Sequence, residues 1–477
     1  MTRTIPALVR AAVDDVPDKT WLLFEGVELS YSAAFERVER AASWLRAAGV
    51  ERADRVLMVA RNHPDTLLAW FALMEVGAIQ VPINPALSAA ERQGFIDQVR
   101  PRLVLDDLTP LFDAERDGRG PADIDERDVA VMIPTSGTTG RSKLVMQTHL
   151  AYVMAAEGYP WWLGLTSEDR LLTSLPLFHI NAPTYSTLGS LAARASLALL
   201  PSFSASTFLD QARKVGATQF NSIGAMLEIL MRQPERADDA DNPIRLCYTG
   251  PAPDEERHLA IERRFGWRIT CGYALSETPY GLVWLPGTRP YGTLGAPRQH
   301  PTLGRVNDAR VDVDGELELR NPAIMAGYFE MPEETAAVKT DDGWLRTGDL
   351  VTPNDDGTFT FVGRKKEVIR RRGENLSPTE VQDALERHPS VAEVAVIGVP
   401  SDMSEEEVKA FVVAAPGAVV DVDVLHAFAH EQLSRFKVPR YYELVDELPH
   451  TPTGRLAKHR LPTERNDVEI DRGDGRG

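Results

Sequence analysis

The chain has 477 residues, more than one ordinary hydrophobic core organises, so we expect two or three domains or subdomains. Its formal net charge is −18, from 52 basic and 70 acidic residues, which argues against broad binding of nucleic acid or of anionic membranes. A local basic pocket for a phosphorylated ligand remains compatible with that charge. The chain has only two cysteines, Cys247 and Cys271, which excludes a disulfide-rich secreted scaffold and favours a reducing cytoplasm with both thiols buried.

The N-terminal part alternates helical and extended patterns. The predicted elements are a helix at 30–50, a strand at 55–60, a helix at 66–78, a strand at 79–83, and later strands at 171–176, 196–201 and 217–223. Ser30 can cap the first helix and Gly49 can stop it. Glu75 and Pro82 interrupt the most apolar stretch, so we expect no stable membrane insertion there. This β-α-β alternation predicts an α/β fold, with mixed and largely parallel sheets flanked by helices on both faces.

The pattern changes near residue 305. ARVDVDGELELR and GTFTFVGR alternate with a period of two around glycine turns, which predicts a β-rich subdomain of antiparallel strands. After Gly363 come the basic run RKKEVIRRRGEN and then helix, strand, strand and helix patterns. We therefore predict a large N-terminal domain at 1–363 and a small α+β C-terminal domain at 364–477 that ends in a polar tail.

A hydroxyl-rich loop, TSGTTGRSK, follows a predicted strand at 129–133 that should end at Pro134. Its glycines leave backbone N–H groups accessible, its Thr and Ser residues add hydroxyl donors, and Lys143 adds positive charge, a set that suits a polyphosphate. The loop is neither the P-loop of nucleoside triphosphatases nor a GxGxxG fingerprint. On composition alone, a flexible surface linker is equally compatible.

TSGTTGRSKLV closely resembles the phosphate-binding loop of adenylate-forming enzymes, a superfamily of acyl-CoA synthetases, peptide-synthetase adenylation domains and luciferases. Ser142 and Leu144 stand where that family usually has Pro and Gly. The resemblance implies contacts with the phosphates of ATP from Thr135, Ser136, Gly137, Thr138, Thr139, Gly140 and Lys143.

Further motifs of the family follow in its usual order: LPLFHI (175–180), YTGPAP (248–253), GYALSET (272–278), GWLRTGDL (343–350) and GRKKEVI (363–369). The resemblance implies adenine contacts at Gly250, Pro251, Ala252 and Tyr273, an α-phosphate contact at Ser276, and ribose contacts at Asp349 and Arg364. It also implies that Glu277 coordinates Mg²⁺, a hard cation that prefers carboxylate oxygen.

The sequence gives the least information about which residues contact the acyl group. By their place in the family's order, its candidate residues are His179, Asn181, Asn221, Gly224 and Tyr280. A lone histidine near a strand end is otherwise more typical of core packing. The aromatic residues Tyr159, Trp161 and Trp162 are likewise more typical of a core than of a pocket.

In the C-terminal part the resemblance implies a mobile domain with its hinge at Lys366. The neighbouring basic run at 370–372 could bind an anionic acceptor such as CoA, although a solvated basic face explains it equally well. Near the end, LPHTPTGRLAKHRL resembles a family motif whose lysine reaches the active site, but Arg455 occupies that position. Three interpretations stay open: arginine serves adequately, Lys458 substitutes in a slower adenylation, or the chemistry has specialised or been lost.

The resemblance implies an ATP- and Mg²⁺-dependent ligase that converts a small carboxylic acid into an acyl-adenylate, releasing pyrophosphate, and then into an acyl-CoA with release of AMP. FNSIGAMLEIL and RLCYTGPAP most resemble the carnitine/crotonobetaine-CoA ligase branch. Two alternatives stay open. The acceptor could be an amine, a carrier-protein thiol or, with nitrite as the activated acid, an arylamine that is diazotised; or the protein could bind nucleotide without ligase turnover. A cytoplasmic enzyme that binds no nucleic acid is expected, and a homodimer is compatible with the sequence.

Overall fold

The computed structural model describes residues 2–87, 89–135, 142–223, 226–250, 252–367, 369–371, 374–400, 406–433, 435–450 and 456–473. The chain forms two compact units. The first contains Met1–Arg310, Glu318–Arg346 and Asp355–Phe359, and the second contains Val311–Leu317, Thr347–Asn354 and Thr360–Gly477. The division into domains at residues 363 and 364 stays a prediction.

Twelve α-helices lie in the described parts of the chain. They are α1 (Ile5–Asp15), α2 (Tyr31–Ala47), α3 (Pro64–Val76), α4 (Ala89–Val99), α5 (His149–Leu163), α6 (Gly189–Ala193), α7 (Phe208–Val215), α8 (Met226–Met231), α9 (Glu255–Phe265), α10 (Pro332–Val338), α11 (Pro378–Glu386) and α12 (Val422–Gln432). A π-helical segment, Ala182–Leu188, leads directly into α6. Among these described residues, no helix combines the length and the hydropathy that a bilayer crossing requires.

The strands, in chain order, are β1 (Thr20–Phe24), β2 (Val27–Ser30), β3 (Arg55–Val59), β4 (Ile79–Ile83), β5 (Leu103–Leu105), β6 (Val129–Thr135), β7 (Lys143–Thr148), β8 (Arg170–Thr173), β9 (Ser196–Leu199), β10 (Gln219–Ile223), β11 (Leu246–Gly250), β12 (Arg268–Leu275), β13 (Thr278–Val283), β14 (Ala296–Pro297), β15 (Asp308–Val311), β16 (Glu316–Arg320), β17 (Gly327–Tyr328), β18 (Leu345–Pro353), β19 (Phe359–Arg364), β20 (Ile369–Arg371), β21 (Glu374–Leu376), β22 (Val391–Pro400), β23 (Glu406–Ala414), β24 (Tyr441–Leu444) and β25 (Ile470–Asp471).

Local sequence signals explain where several helices begin and end. Ser30 caps α2, because its Oγ accepts a hydrogen bond from the Ala33 N–H at 3.1 Å. Helix α3 begins with Pro64 and ends at Gly77, whose φ of 74° is the left-handed conformation that glycine adopts without strain. Every side chain of α3 except Asp65 is buried, which is why its sequence is apolar on almost all sides rather than on one face.

Two large sheets organise the first unit. The nine-stranded sheet has the order β14-β13-β12-β11-β10-β8-β9-β1-β2, and its strands β8 to β12 pair in parallel. The six-stranded sheet has the order β17-β7-β6-β4-β3-β5, with parallel pairing from β6 through β4 and β3 to β5. One hydrophobic cluster joins facing residues of both sheets with α1, α2, α3 and α5. A second covers the other face of the nine-stranded sheet with α7 and α9. The predicted helices on both faces are therefore confirmed.

The strand predicted to end at Pro134 is longer than expected. β6 continues to Thr135, and Pro134 pairs with Leu144 of β7 in the antiparallel ladder. The prediction treated proline as a strand terminator, but its fixed φ is compatible with extended backbone and costs only the N–H donor.

The second unit has its own sheet and core. Its four-stranded sheet runs β22-β23-β24-β25, and α11 and α12 contribute Val381, Leu385, Leu425 and Ala429 to the cluster beneath it.

A separate four-stranded sheet has the order β15-β16-β18-β19, with hairpin turns at glycine-containing segments, and agrees with the predicted β-rich region. Together these elements confirm the predicted class: mixed sheets flanked by helices, a β-rich part and a small α+β part.

Candidate active site

The carboxyl ends of β10, β11 and β12 lie side by side in the first unit. Ile223 of β10 stands opposite Gly250 of β11, and Thr249 stands opposite Cys271 of β12. In open α/β sheets, ligands bind outside the carboxyl ends of parallel strands. The predicted adenine turn begins here, at Gly250, and Ala252 follows it; Pro251 lies outside the described residues.

Two glycines allow the backbone to pack closely at this edge. A Cβ on Gly250 would lie 2.6 Å from the carbonyl oxygen of Gly272, and a Cβ on Gly272 would lie 2.4 Å from Oη of Tyr248. Any larger residue would push β11 and β12 apart at the edge where a ligand would approach. Tyr273, a predicted adenine contact, follows Gly272 directly on β12.

The turn between β12 and β13 presents Ser276 and Glu277. Its backbone is held from two distant segments, because Nε2 of Gln147 donates to the Ser276 carbonyl at 2.5 Å and the Met325 N–H donates to the Glu277 carbonyl at 2.8 Å. Gln147 is fully buried on β7. The turn is therefore fixed before any ligand binds.

The Glu277 side chain belongs to a three-residue group that also contains Tyr328 and Lys143. Oη of Tyr328 donates to Oε1 of Glu277 at 2.8 Å, and Nζ of Lys143 lies 4.5 Å from the centre of the Tyr328 ring. Burial, reinforced by the negative charge of Glu277, raises the pKa of the Tyr328 phenol far above its ordinary value. The phenol thus remains a hydrogen-bond donor. The carboxylate of Glu277 contacts its hydroxyl, and the ammonium of Lys143 lies over its ring.

Sequence reasoning missed Tyr328. It lies on the two-residue strand β17, which pairs with β7 so that Tyr328 stands opposite Val145. Lys143 is the first residue of β7. The only local signal is the aromatic pair in GYFE, which is indistinguishable from a core segment.

The hydroxyl-rich loop connects β6 to β7. Thr135 and Lys143 pair at its base, and Oγ1 of Thr135 donates to the Lys143 carbonyl at 3.3 Å. The remaining predicted phosphate contacts lie outside the described residues: Ser136, Gly137, Thr138, Thr139 and Gly140. The structure therefore places Thr135, Lys143 and Glu277 in one region and leaves the loop itself a prediction.

Two of the predicted acyl-pocket residues are in direct contact. Nδ2 of Asn221, on β10, donates to Oδ1 of Asn181 at 2.8 Å. His179 is half-buried with its ring against Phe178, at 4.5 Å between ring centres. Tyr280 is completely buried and packs edge-to-face against Trp162, so it lies within the core. Gly224 lies outside the described residues.

In the second unit, the proposed ribose residues contact each other. Nε of Arg364 lies 2.8 Å from Oδ1 of Asp349, whose side chain is buried. Nζ of Lys458 lies 3.1 Å from Oε2 of Glu367, so its charge is already paired. The backbone of Lys366 forms part of the short 3₁₀ turn Lys365–Glu367, while Arg455 lies outside the described residues.

A resident metal site made of protein ligands alone is not present in the described parts of the chain, where no group of three or more His, Cys, Asp or Glu residues could hold an ion. Glu277 supplies a single carboxylate, which fits a Mg²⁺ ion held chiefly by phosphate oxygens and water. Both cysteines are buried, and burial raises the pKa of each thiol. The prediction that both thiols are buried is confirmed.

Comparison of this chain with models of known protein families gives two matches. A family model described as "AMP-binding enzyme" matches residues 9–329, and one described as "AMP-binding enzyme C-terminal domain" matches residues 380–455. The chain belongs to the AMP-binding enzyme family. The predicted resemblance to adenylate-forming enzymes is thereby confirmed.

Individual known proteins match this chain over nearly its whole length. The crotonobetaine/carnitine–CoA ligase of Salmonella paratyphi B is 30% identical over 93% of this chain and 96% of its own. The crystal structure of ATP-bound MatB from Rhodopseudomonas palustris has 26% identity and a TM-score of 0.89, covering 96% of this chain and 98% of that one. The o-succinylbenzoate CoA synthetase (MenE) from Bacillus subtilis, in complex with its acyl-adenylate OSB-AMP, shares the fold at 24% identity, with a TM-score of 0.86 over 96% and 98%.

Proposed function

We propose that the protein is an ATP-dependent acid ligase that activates a carboxylic acid as an acyl-adenylate and transfers the acyl group to CoA. One observation carries the proposal beyond family membership. In a chain of the AMP-binding enzyme family, the Lys143–Tyr328–Glu277 group places an ammonium and a carboxylate beside the carboxyl ends of parallel strands. A nucleoside triphosphate with its metal ion requires both: an ammonium to contact phosphate oxygens and a carboxylate to hold the metal ion.

In the first half-reaction a carboxylate oxygen of the acid forms a bond to the α-phosphorus of ATP. The bond from that phosphorus to the oxygen bridging to the β-phosphate breaks, and pyrophosphate leaves with the electron pair. Negative charge accumulates on the phosphate oxygens, so fixed positive charge and oriented N–H donors lower the barrier. Lys143 supplies such a charge. When bound, Mg²⁺ would neutralise phosphate oxygens, and Glu277 would hold it.

In the second half-reaction the sulfur of CoA bonds to the acyl carbonyl carbon. The carbon–oxygen bond to the phosphate then breaks, AMP leaves with the electron pair, and the thiol proton passes to solvent. No covalent bond to the protein forms in either half. Positioning and electrostatics therefore carry the catalysis, and no activated protein nucleophile is needed.

The individual residue roles remain proposals that rest on resemblance and on the contacts above. The proposed ATP contacts are Thr135, Ser136, Gly137, Thr138, Thr139, Gly140, Lys143, Gly250, Pro251, Ala252, Tyr273, Ser276, Asp349 and Arg364. Lys366 is the proposed hinge of a mobile C-terminal domain at 364–477. Arg455 is the proposed C-terminal cation of the active site, and Lys458 is the alternative. A cytoplasmic location is a further proposal, which rests on the low number of cysteines. Assembly as a homodimer is compatible with the sequence.

The test is the carboxylate-dependent exchange of labelled pyrophosphate into ATP over a panel of aliphatic and aryl acids, followed by CoA-dependent release of AMP. We expect exchange with at least one acid and AMP release only when CoA is added. Glu277→Gln should abolish exchange, whereas Glu168→Gln, an exposed carboxylate in the same unit, should not. Absence of exchange with every acid would overturn the proposal, and exchange without CoA-dependent AMP release would replace CoA with another acceptor.

A further inference from the structure

A buried polar network contains Asn181 and Asn221, two of the proposed acyl-pocket residues. Nε2 of Gln219 donates to Oδ1 of Asn221 at 2.7 Å and to Oη of Tyr159 at 2.8 Å. Oη of Tyr159 in turn donates to Oδ1 of Asn221, whose Nδ2 reaches Asn181. Gln219 and Asn221 are at most 1% exposed, yet Oε1 of Gln219 has no hydrogen-bond partner among the described residues. Buried amides are costly in a pocket that binds only hydrocarbon.

A layer of three tyrosines continues the network inward. The rings of Tyr159 and Tyr185 stack at 5.2 Å, and Tyr248 packs edge-to-face on both, at 5.6 and 5.7 Å. All three side chains are buried, and burial raises the pKa of each phenol, so each remains a neutral donor.

Arg298 contacts two of the three tyrosines. Its side chain has no exposed surface, and its NH1 donates to Oη of Tyr185 at 2.7 Å and to the Pro279 carbonyl at 2.8 Å. Its NH2 donates to Oη of Tyr248. Within the described parts of the chain no carboxylate pairs with Arg298, so all its partners are neutral. A buried guanidinium without a counter-ion makes the surrounding pocket favourable for negative charge and unfavourable for a cation.

The network extends towards the edge of the sheet where ligands bind. Asn221 lies near the carboxyl end of β10, and the half-buried Asn181 lies in the segment that follows the carboxyl end of β8. Asn181 is thus the least buried member of a polar chain that leads inward through Asn221 and Tyr159 to the tyrosine layer and Arg298.

We infer that this enzyme activates a small acid whose acyl group carries an oxygen substituent, either a hydroxyl or a second carboxylate, and that Asn181 and Asn221 recognise that substituent. The inference rests on the proposed function. The asparagine amides supply both a donor and an acceptor to the substituent, and the positive charge of Arg298 rejects a quaternary ammonium. A simple hydrocarbon acid binds less well because it gains no hydrogen bond from the asparagines and places apolar surface against polar amides.

The experiment compares acids of similar size: 3-methylbutyrate, 3-hydroxybutyrate, succinate, 4-(trimethylammonio)butyrate, benzoate and 3-hydroxybenzoate. The first readout is kcat/KM for pyrophosphate exchange. The second needs no turnover: it is the change in tryptophan fluorescence on adding acid without ATP, since the Trp162 ring lies 4.6 Å from the Arg298 guanidinium. We expect an oxygen-substituted acid to exceed its hydrocarbon counterpart at least tenfold and the ammonium acid to be the poorest.

Two variants connect this preference to the network. Asn221→Leu should lower the preference for the oxygen-substituted acid about tenfold, the scale of the net contribution of one hydrogen bond. Arg298→Met removes the positive charge and should raise kcat/KM for the ammonium acid relative to the other acids. Arg298→Lys retains the charge and should leave that ratio low. Asn242→Leu is the control, because its amide also donates to two backbone carbonyls, those of Asp239 and Phe265, but lies before the amino end of β11, whereas the proposed site lies at the carboxyl ends; it should leave the preference unchanged.

The outcomes separate the inference from the proposed function. Exchange that favours hydrocarbon acids, with a preference unaltered by Asn221→Leu, would refute the inference and leave the function standing. Fluorescence binding of hydroxy acids that Asn221→Leu abolishes, without exchange by any acid, would refute the function and support the inference. Neither exchange nor binding with any acid would refute both.

Discussion

The phenol of Tyr328 donates a 2.8 Å hydrogen bond to the carboxylate of Glu277 while its ring lies under the ammonium of Lys143. One side chain thus touches both of the charged residues proposed to handle the triphosphate and its metal ion. Tyr328 is itself held in place by backbone, because β17 pairs with β7 at Val145. A side chain so anchored can fix the direction of Glu277 without contacting substrate, which makes Tyr328 a positioning residue.

Tyr328→Phe tests this relationship, since it removes the hydroxyl and retains the ring beneath Lys143. A hydrogen bond to a charged group contributes roughly 1.5–3 kcal/mol, so we expect kcat for pyrophosphate exchange to fall about tenfold or more. The concentration of Mg²⁺ needed for half-maximal rate should rise as well. Kinetics over a magnesium titration provide the measurement.

Tyr31→Phe is the matched control. Its hydroxyl donates a 2.6 Å hydrogen bond to the Ala195 carbonyl far from the site, so that variant should lose stability but keep its magnesium dependence. If Tyr328→Phe and Tyr31→Phe behave alike in both respects, Tyr328 has only a structural role.

Much of the first unit followed from its sequence, and the exceptions have physical causes. The apolar helix near residue 70 was predicted at 66–78 and lies at Pro64–Val76, and its length distinguished it from the short apolar strands that flank it. Lys143 and Glu277 were named from motifs. Tyr328 was not, since its role depends on pairing between strands distant in the chain. Asn181 and Asn221 were each named singly, but only the fold shows their hydrogen bond.

Arg455→Lys tests the departure of this chain from its family's motif. Lysine is a compact point charge, whereas arginine is larger and forked, so a site shaped for lysine should regain rate with it. We expect pyrophosphate exchange to rise severalfold. An unchanged or lower rate would show that arginine has its own role in this enzyme.

Lys458→Met addresses the alternative cation. Nζ of Lys458 lies 3.1 Å from Glu367, so its charge is already balanced in this arrangement. We therefore expect exchange to fall less than twofold in this variant. Loss of exchange in Lys458→Met, with Arg455→Met still active, would make Lys458 the cation that serves adenylation.

His149 should make the first unit sensitive to acid. Burial lowers its pKa from 6.5 to about 4, and its Nδ1 accepts a hydrogen bond from the Ile5 N–H at 3.3 Å, which requires the neutral ring. The unfolded chain therefore binds the proton first. Stability from neutral His149 is fully present above pH 6.5 and is lost as the pH falls towards 4, by roughly 3 kcal/mol in all.

His149→Gln should reduce that loss, because glutamine can accept the Ile5 hydrogen bond without titrating. The measurement is urea unfolding at pH 7.5 and pH 4.5, followed by tryptophan fluorescence, since all eight tryptophans belong to the first unit. His63→Gln, at a half-exposed histidine of the same unit, is the control. An identical pH dependence in wild type and His149→Gln would contradict the prediction.

Lys409 should dominate the stability of the second unit's sheet. Its side chain is fully buried on β23, with Nζ 2.8 Å from Glu443 and 3.0 Å from Glu469. Burial opposes ionisation of Glu469, but hydrogen bonds from Arg465 and Lys409 hold its pKa below the ordinary value. Lys409→Met would leave two neighbouring carboxylates without their shared cation, so we expect a loss of about 3–5 kcal/mol.

Amide hydrogen exchange of β23 in the full chain measures this loss, because the second unit contains no tryptophan. Lys437→Met is the control: its pair with Glu380 is partly exposed, and such pairs contribute less than about 1 kcal/mol. Replacing all three residues, as Lys409→Met with Glu443→Leu and Glu469→Leu, should restore most of the protection, since the cost comes from uncompensated charge rather than from lost attraction. Equal protection of β23 in Lys409→Met and Lys437→Met would show that water reaches the Glu443 and Glu469 carboxylates and that the cluster adds little to stability.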